Sequence, residues 1–221
     1  MSAIRALRTG GLWFDGVDDY VRVPHSPSLD ITNAITIAAW VYPTSLLSLA
    51  PRIVSKETGA GTNSYNLLIL SSDRTFRFYT GGASRVGGGT VTLHAWQHVA
   101  VTWDSVSQLP RLYVNGSLVA TGAAYSGPIP STTYDVLIGN NPTNERQFHG
   151  IIDDVRIYNR ALSDDEIKAI YERDALIRDG LVLLLDFSEY EGNIAYDKSG
   201  CGNHATLYGA RWVVKKALYR M

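Results

Sequence analysis

The sequence of 221 residues has one cysteine, no excess of either charge and no long apolar run. The single Cys201 excludes an intramolecular disulfide framework and a cysteine-rich zinc site. Twenty Lys and Arg balance 21 Asp and Glu, so the net charge of −1 gives no electrostatic footprint for nucleic acid or an anionic membrane. No apolar run approaches the ~20 residues that a membrane-spanning helix needs. We therefore expect no nucleic-acid partner and no membrane insertion.

The composition is that of a folded protein rich in strand formers and turn residues. Hydrophobic residues make up 45% of the chain, and 20 Gly and 8 Pro interrupt it. This apolar, evenly charged composition excludes disorder. The length fits one all-β domain, a class that runs to roughly 200–250 residues in one unit. We therefore predict a single domain over residues 1–221.

Alternation with period two predicts strands along most of the chain. Ala34–Tyr42 has two largely apolar faces, which indicates a central strand. Arg111–Val114 and Ser117–Ala120 flank Asn115-Gly116, a dipeptide that favours a type I′ hairpin. Clusters of turn residues, such as Gly81–Gly89, separate many of the strands. Short strands at this spacing predict a sandwich or a barrel.

One short helix interrupts the strand pattern. Ser163 and Glu166 form a capping-box sequence, in which the serine caps the helix and the glutamate returns to the cap amide. Ile167 and Ile170 then lie on one apolar face, and the helix should end near Asp174.

Three segments together carry a family resemblance. They are Leu12–Val23 with the following PHSPSLDI, Gly150–Ser163 (GIIDDVRIYNRALS), and a C-terminal segment that contains GLVLLLDF and YDKSGCGNHATLYGARWV. They resemble the laminin-G-like branch, which includes the pentraxins, of the concanavalin A-like lectin/glucanase superfamily. The resemblance covers nearly the whole chain. It implies a two-sheet antiparallel jelly-roll sandwich.

The order of the segments departs from this family. In relatives, the segment like GLVLLLDF comes first, whereas here it follows the helix. The chain therefore resembles a circular permutant, or a frame cut from a tandem array. We expect the strands of residues 180–214, including Ala205–Tyr208 and Arg211–Val214, to complete the sandwich. Donation of these strands to a neighbouring subunit is the alternative.

Carboxylates give little support for an enzyme, although the superfamily includes glycoside hydrolases. Its glucanases carry a Glu-x-Asp-x-x-Glu strand, which this sequence lacks. The nearest cluster, Asp186, Glu189 and Glu191, runs into Gly192 and is typical of a solvated turn. A Gly-x-Ser-x-Gly nucleophile elbow is also missing. We predict a protein without catalytic residues.

Calcium is the more plausible cofactor, because it binds carboxylate and carbonyl oxygens from loops. The family resemblance implies a calcium ion between loops, with Asp18, Asp153 and Asp197 as ligands and Asn203 in support. The alternative is that these residues cap turns by accepting hydrogen bonds from local amides.

Aromatic and amide side chains are the candidates for sugar recognition. Aromatic rings can stack on pyranose faces, and amides can bond hydroxyl groups. We predict a ligand-binding set, with solvated loops as the alternative: Trp96, Tyr65, Tyr125, Asn140, Asn141, Asn144 and Arg146.

These observations favour a non-catalytic recognition and structural module. The opening MSAIRALRTGG has no apolar stretch of a secretory signal. We therefore predict a virion surface protein (a capsid decoration, fibre or tail protein) that binds glycans or other protein subunits. The alternative is a secreted, calcium-dependent carbohydrate-binding module from a larger extracellular protein.

Overall fold

A computed structural model describes residues 10–59 and 63–213, and within them it contains sixteen strands and one α-helix. The first eight strands are β1 (Leu12–Asp15), β2 (Tyr20–Val23), β3 (Ala34–Ser45), β4 (Arg52–Glu57), β5 (Asn63–Leu70), β6 (Thr75–Thr80), β7 (Ala83–Thr90) and β8 (Gln97–Asp104). The others are β9 (Arg111–Val114), β10 (Ser117–Thr121), β11 (Val136–Ile138), β12 (His149–Tyr158), β13 (Leu181–Leu185), β14 (Ile194–Ala195), β15 (Ala205–Tyr208) and β16 (Arg211–Trp212). Helix α1 spans Asp164–Arg173 between β12 and β13.

The strands form two eight-stranded antiparallel sheets, which confirms the predicted two-sheet antiparallel sandwich with one short helix. The first sheet has the order β10-β9-β8-β3-β12-β1-β16, and β13 also pairs with β12. The second sheet has the order β14-β15-β2-β11-β4-β5-β6-β7. β3 is an interior strand, as its two apolar faces predict.

The main core lies between the two sheets. In β2, Val21 and Val23 are fully buried while Arg22 points to solvent, so the alternation in sequence separates core from surface. Trp103 belongs to this core. A smaller cluster lies under α1, where Ile167 and Ile170 pack against the first sheet.

The strands that follow the helix lie in the same two sheets. β13 pairs with the second half of β12, β15 pairs with β2, and β16 pairs with β1. The Val213 amide donates to the Gly11 carbonyl at 2.9 Å, so the two ends of the described chain lie side by side. This adjacency is what a permuted order requires, and the permutation stays a prediction. Val214, the end of the predicted last strand, lies outside the described residues. So do residues 1–9, which belong to the opening segment that lacks a secretory signal.

The predicted hairpin is present at β9 and β10. Asn115 has φ of 52° and Gly116 has φ of 74°, the positive values that a type I′ turn requires. Ser117 pairs with Val114 directly after the turn.

The prediction of a loop over Gly81–Gly89 is wrong, because β7 occupies Ala83–Thr90 at the edge of the second sheet. A Cβ atom at Gly87 would lie 2.3 Å from Cδ of Arg77, and one at Gly88 would lie 2.9 Å from Cβ of Ala120. Glycine in a strand often marks such a close approach. The glycines therefore permit packing here rather than forming turns.

The predicted capping box is confirmed at the N-terminus of α1. The Glu166 amide donates to the Ser163 hydroxyl, and the Ser163 amide donates to the Glu166 carboxylate. Both nitrogens at the end of the Arg160 guanidinium also donate to Glu166, at 2.9 and 2.6 Å. This contact with Arg160, followed by the bond from the Ser163 amide, lowers the pKa of Glu166 to about 2. The helix ends next to Asp174, as predicted, and Asp174 itself has a left-handed conformation.

Replacing Glu166 with glutamine should therefore destabilise the fold in a pH-dependent way. Folding lowers the pKa of Glu166, so its carboxylate stabilises the folded state at pH values above the ordinary pKa of 4.5. This stabilisation is lost as the pH falls towards 2. We expect Glu166→Gln to cost about 1 kcal/mol at pH 7, since the site is partly exposed. Urea unfolding at pH 7 and near pH 2 measures the difference. Glu172→Gln, on the last turn, is the control, and a Glu166 effect that persists near pH 2 contradicts the assignment.

Candidate functional site

A cleft of about 930 Å³ lies on the outer face of the second sheet. The strand register places Tyr20, Arg22 and Leu137 on this outer face, while Val21 and Val23 of β2 point into the core. We call this cavity the Tyr208 cleft. Its lining residues come from β2, β4, β11, β15 and the loops beside them: Asp18, Tyr20, Arg22, Glu57, Thr58, Thr133, Tyr134, Asp135, Leu137, Asn140, Asn141, Pro142, Asn144, Tyr208 and Gly209.

Two tyrosines form an aromatic pair in this cleft. Tyr20 on β2 and Tyr208 on β15 are direct cross-strand partners, and their rings stack with centroids 4.6 Å apart and planes 12° apart. Cross-strand aromatic pairs of this kind stabilise a sheet. Tyr208 nevertheless remains 39% exposed. The pair therefore exposes aromatic surface in the cleft, and the Tyr208 side chain also interacts with Arg22.

An ion pair lies beside the tyrosines. Nε of Arg22 donates to Oδ2 of Asp135 at 2.5 Å. Asp135 also accepts the backbone amide of His25 on its other oxygen, at 2.8 Å. The contact with Asp135 is the main cause of the raised pKa of Arg22. The only cationic side chain among the described lining residues thus has its counter-charge within the protein.

The loop after β11 contributes three of the predicted residues to the cleft. Asn140 donates to Oδ1 of Asn144 at 2.6 Å and accepts the Asn141 amide at 2.9 Å. Asn141 accepts the Glu145 amide and donates to the Thr143 hydroxyl. Asn140 and Asn141 are buried, whereas Asn144 is exposed. The first two therefore shape the loop, and Asn144 is the one that faces solvent.

A second part of the cleft wall, in the segment of residues 132–135, contacts a buried lysine. Lys56 is fully buried, and its ammonium donates to the carbonyl oxygens of Thr132 at 3.0 Å and Tyr134 at 2.6 Å. Nδ1 of His25 lies 3.3 Å from the same ammonium. Burial lowers the pKa of Lys56, and the nearby carboxylate of Asp30 opposes that shift. Residues 132–135 lie outside the strands of the described chain, and Lys56 supplies a hydrogen-bond donor to two of their carbonyl groups.

The other predicted sugar-binding residues do not line this cleft. Tyr65 is fully buried and donates to the Leu29 carbonyl at 3.0 Å, so its ring is unavailable to a ligand. The ring of Tyr125 lies under the guanidinium of Arg85, with 3.7 Å from the guanidinium carbon to the ring centroid. Trp96 contacts Tyr42 of the first sheet, at 5.6 Å between centroids.

Arg146 also lies outside the lining residues. Its carbonyl accepts the Arg52 amide at 2.9 Å, and its own amide contacts the Asn140 side chain at 3.4 Å. Arg146 therefore connects the loop after β11 to the start of β4 through its backbone.

The predicted calcium ligands are distributed over three places. Asp18 lies with Asp15 and Asp19, and carboxylate oxygens of the three residues are within 4.8 Å of one another. Burial is the main cause of the raised pKa of Asp19. Among the described residues, Asp153 and Asp197 are not part of this or any other such cluster. Three clustered carboxylates are a donor set that suits a hard cation such as Ca²⁺.

Asp197 makes the contacts expected of a turn cap, which is the alternative to a calcium ligand. Its Oδ1 accepts the amides of Leu184 and Ser199, and its Oδ2 accepts the Ser199 hydroxyl and the Asn203 amide. The Asn203 side chain in turn bonds Ser26, Ser28 and the Val182 carbonyl. Asp153 is a buried residue of β12 whose side chain accepts the Asp154 amide. Asp197 and Asn203 therefore connect segments that are distant in sequence.

Comparison with known proteins assigns the family. The family model Laminin_G_3, of the concanavalin A-like lectin/glucanases superfamily, matches residues 15–168, more than two thirds of the chain. The chain belongs to the Laminin_G_3 family. The predicted laminin-G-like resemblance is therefore confirmed. Tyr208 of this Laminin_G_3 domain lies beyond the matched residues, so its cleft depends on the C-terminal strands.

The Laminin_G_3 domain matches parts of longer curated proteins. It is 25% identical over 151 residues to adhesion G-protein coupled receptor V1 of Danio rerio, covering 63% of this chain and 2% of the receptor. It is 28% identical over 149 residues to pentraxin-related protein PTX3 of Mus musculus, covering 62% of this chain and 38% of PTX3. The chain thus spans well under two thirds of the length of these relatives.

Solved structures share the fold of this Laminin_G_3 domain. A Bacteroides ovatus protein, provisionally assigned to carbohydrate binding, has a TM-score of 0.74 at 22% identity, over 93% of this chain and 60% of its own. The heptameric SAP-like pentraxin of Limulus polyphemus has a TM-score of 0.67 at 16% identity, over 94% of this chain and 95% of its own. Trypanosoma rangeli sialidase has a TM-score of 0.57 at 20% identity, and the match covers 74% of this chain and 27% of the sialidase.

Sequence patterns missed the tyrosine pair and the ion pair of the Laminin_G_3 cleft. Alternation in YVRV and ATLY places Tyr20, Arg22 and Tyr208 on outward positions, which is the one signal available. It does not show that β2 and β15 are neighbours. No helix within residues 10–59 and 63–213 has the length and apolarity to cross a membrane.

Proposed function

We propose that this Laminin_G_3 domain is a non-catalytic carbohydrate-binding module whose ligand lies in the Tyr208 cleft. The observation that carries the proposal is the partly exposed Tyr208, stacked on Tyr20 and sharing a cleft with the Asn144 loop. An aromatic face can pack against the apolar face of a pyranose ring. A few convergent polar groups then orient the ligand.

The polar groups around the tyrosines suit a polyhydroxylated ligand. Asp18 and Asn144 both line the cleft and are exposed. A carboxylate accepts hydrogen bonds from sugar hydroxyls, and an amide both donates and accepts them. The carbohydrate-binding assignment of the B. ovatus protein, which shares the fold, agrees with this proposal.

Two of the three carboxylates that line the cleft, Glu57 and Asp135, are paired with arginines, which supports a binding role rather than hydrolysis. Glu57 is held by Arg52 at 2.7 Å and also accepts the Asn66 amide, and Asp135 is held by Arg22. A glycosidase needs one carboxyl that carries a proton and a second that is a free base or nucleophile. Carboxylates committed to arginines are poorly suited to either role.

Calcium remains a prediction, and the cluster of Asp15, Asp18 and Asp19 supports that position for the ion. Asp18 is the one predicted ligand in that cluster. Calcium bound there would offer a Lewis-acidic partner for ligand oxygens.

Two settings for this function remain predictions. Assembly on a virion surface was predicted from the order of the segments and the opening residues. Secretion within a larger protein is the alternative, and heptameric assembly is described for the Limulus pentraxin. The proposed ligand site is the same in both settings.

The test is glycan binding by matched tyrosine variants. A glycan array selects a ligand, and calorimetry then measures its affinity with and without Ca²⁺. Tyr208→Ala should weaken binding about tenfold or more, because it removes the aromatic anchor. Tyr196→Ala is the matched control, since Tyr196 is exposed but does not line the cleft. Absence of binding across a broad array, or equal affinity for both variants, would contradict the proposal.

A further inference from the structure

We infer that the Tyr208 cleft selects uncharged glycans and discriminates against sialylated, sulfated and uronate-containing ones. The inference rests on the proposed carbohydrate-binding function and adds the chemical class of the ligand. It follows from the charges that line the cleft and from the groups that already pair with them.

The cleft has no uncommitted cation for an anionic sugar among its described lining residues. Arg22, the one cationic side chain in the lining, lies against Asp135 at 2.5 Å. An acidic sugar that bound Arg22 would have to compete with this carboxylate or approach it closely. Juxtaposed like charges oppose binding.

Two other cations near the cleft, Arg52 and Lys56, are committed elsewhere. Arg52 donates twice to Glu57, and these two side chains are only 11% and 2% exposed. Lys56 is fully buried, and its ammonium is bonded to the carbonyl oxygens of the cleft wall. Neither side chain lines the cleft.

The rim of the cleft is negative. Asp18 lines it, and Asp15 and Asp19 lie close to Asp18. A divalent ion on three ionised carboxylates would still leave one negative charge. Hydroxyl groups of an uncharged sugar can donate to Asp18, whereas a carboxylate or sulfate on the sugar is repelled by it.

The test compares matched glycans that differ by one charged group. The full-length protein is titrated with lactose, 3′-sialyllactose and lactose 3′-sulfate, and with every neutral array hit alongside its sialylated or sulfated form, in EDTA and in Ca²⁺. The neutral member should bind about tenfold more tightly or better. Equal or tighter binding of the anionic members would overturn the inference while leaving the proposed function standing. Absence of binding to every glycan would contradict both.

A gain-of-binding variant tests the physical cause. Asp135→Asn removes the counter-charge of Arg22 but keeps an oxygen for the His25 amide. It should raise affinity for the anionic member about tenfold relative to the neutral one. Glu145→Gln is the control, because it removes one exposed negative charge from the loop after β11 without changing the cleft lining. An unchanged preference in Asp135→Asn, with circular dichroism like that of the parent, would contradict the role of the Arg22–Asp135 pair.

Discussion

Replacing Asp197 with alanine should lower the free energy of unfolding by about 3 kcal/mol or more. The carboxylate is 8% exposed and accepts four hydrogen bonds, so its removal leaves the buried Leu184 amide and the Asn203 amide without their acceptor. Hydrogen bonds to an ionised acceptor are stronger than neutral ones. Chemical denaturation in EDTA and in Ca²⁺ measures the effect.

The control for Asp197 is a nearby carboxylate with a different environment. Asp186→Ala removes a partly exposed partner of Lys198 and should cost about 1 kcal/mol or less. If the Asp197→Ala loss occurs only in Ca²⁺ and disappears in EDTA, Asp197 is a metal ligand rather than a turn cap. We expect the same loss in both conditions.

Replacing Arg156 with alanine should cost about 3–5 kcal/mol, because it leaves a buried carboxylate without its main cation. Nε and Nη2 of Arg156 donate to the two oxygens of Asp154 at 2.8 and 2.9 Å, and both side chains are 5% exposed. The guanidinium also donates to Asp174 and to the Ala175 carbonyl, directly after α1. The residue therefore links β12 to the end of the helix. Urea unfolding measures the loss.

A double variant separates the buried charge from the lost contacts. Arg156→Ala combined with Asp154→Ala should be less destabilised than the sum of the single variants, because removing both partners leaves no unpaired buried charge. Arg111→Ala is the exposed control, since Arg111 pairs with Asp164 at 3.3 Å with both side chains largely in solvent. We expect that control to cost about 1 kcal/mol or less. Equal losses for Arg111→Ala and Arg156→Ala would contradict the role of the buried pair.

Local chemistry made much of the fold predictable. The Asn115-Gly116 turn and the Ser163–Glu166 capping box each depend on residues close in sequence, and both are present. The prediction at β7 was wrong because its glycines make room for neighbours such as Arg77. The sequence does not show that Arg77 lies beside them. Rules based on neighbouring residues therefore succeed where the structure depends on residues that are close in sequence.

The candidate site was less predictable because it is assembled by long-range pairing. Tyr208 gains its importance from stacking on Tyr20, which lies at the other end of the chain. Tyr65 differs in the opposite way: it was predicted to bind a ligand, but it is buried in the core, because an aromatic residue at a strand start can face the core as well as the solvent. The loop of Asn140, Asn141 and Asn144, which was predicted to bind a ligand, lines the cleft, and its role in binding stays a prediction. The sequence did not show that the Asn140 and Asn141 side chains form hydrogen bonds within the loop itself.

The most direct test of the central claim is a crystal structure with a bound neutral oligosaccharide selected on the array. We predict a sugar ring against Tyr208, with hydroxyl groups within hydrogen-bond distance of Asp18 or Asn144. A ligand bound instead at Trp96 and Tyr42 on the first sheet, with the Tyr208 cleft occupied only by solvent, would contradict the account.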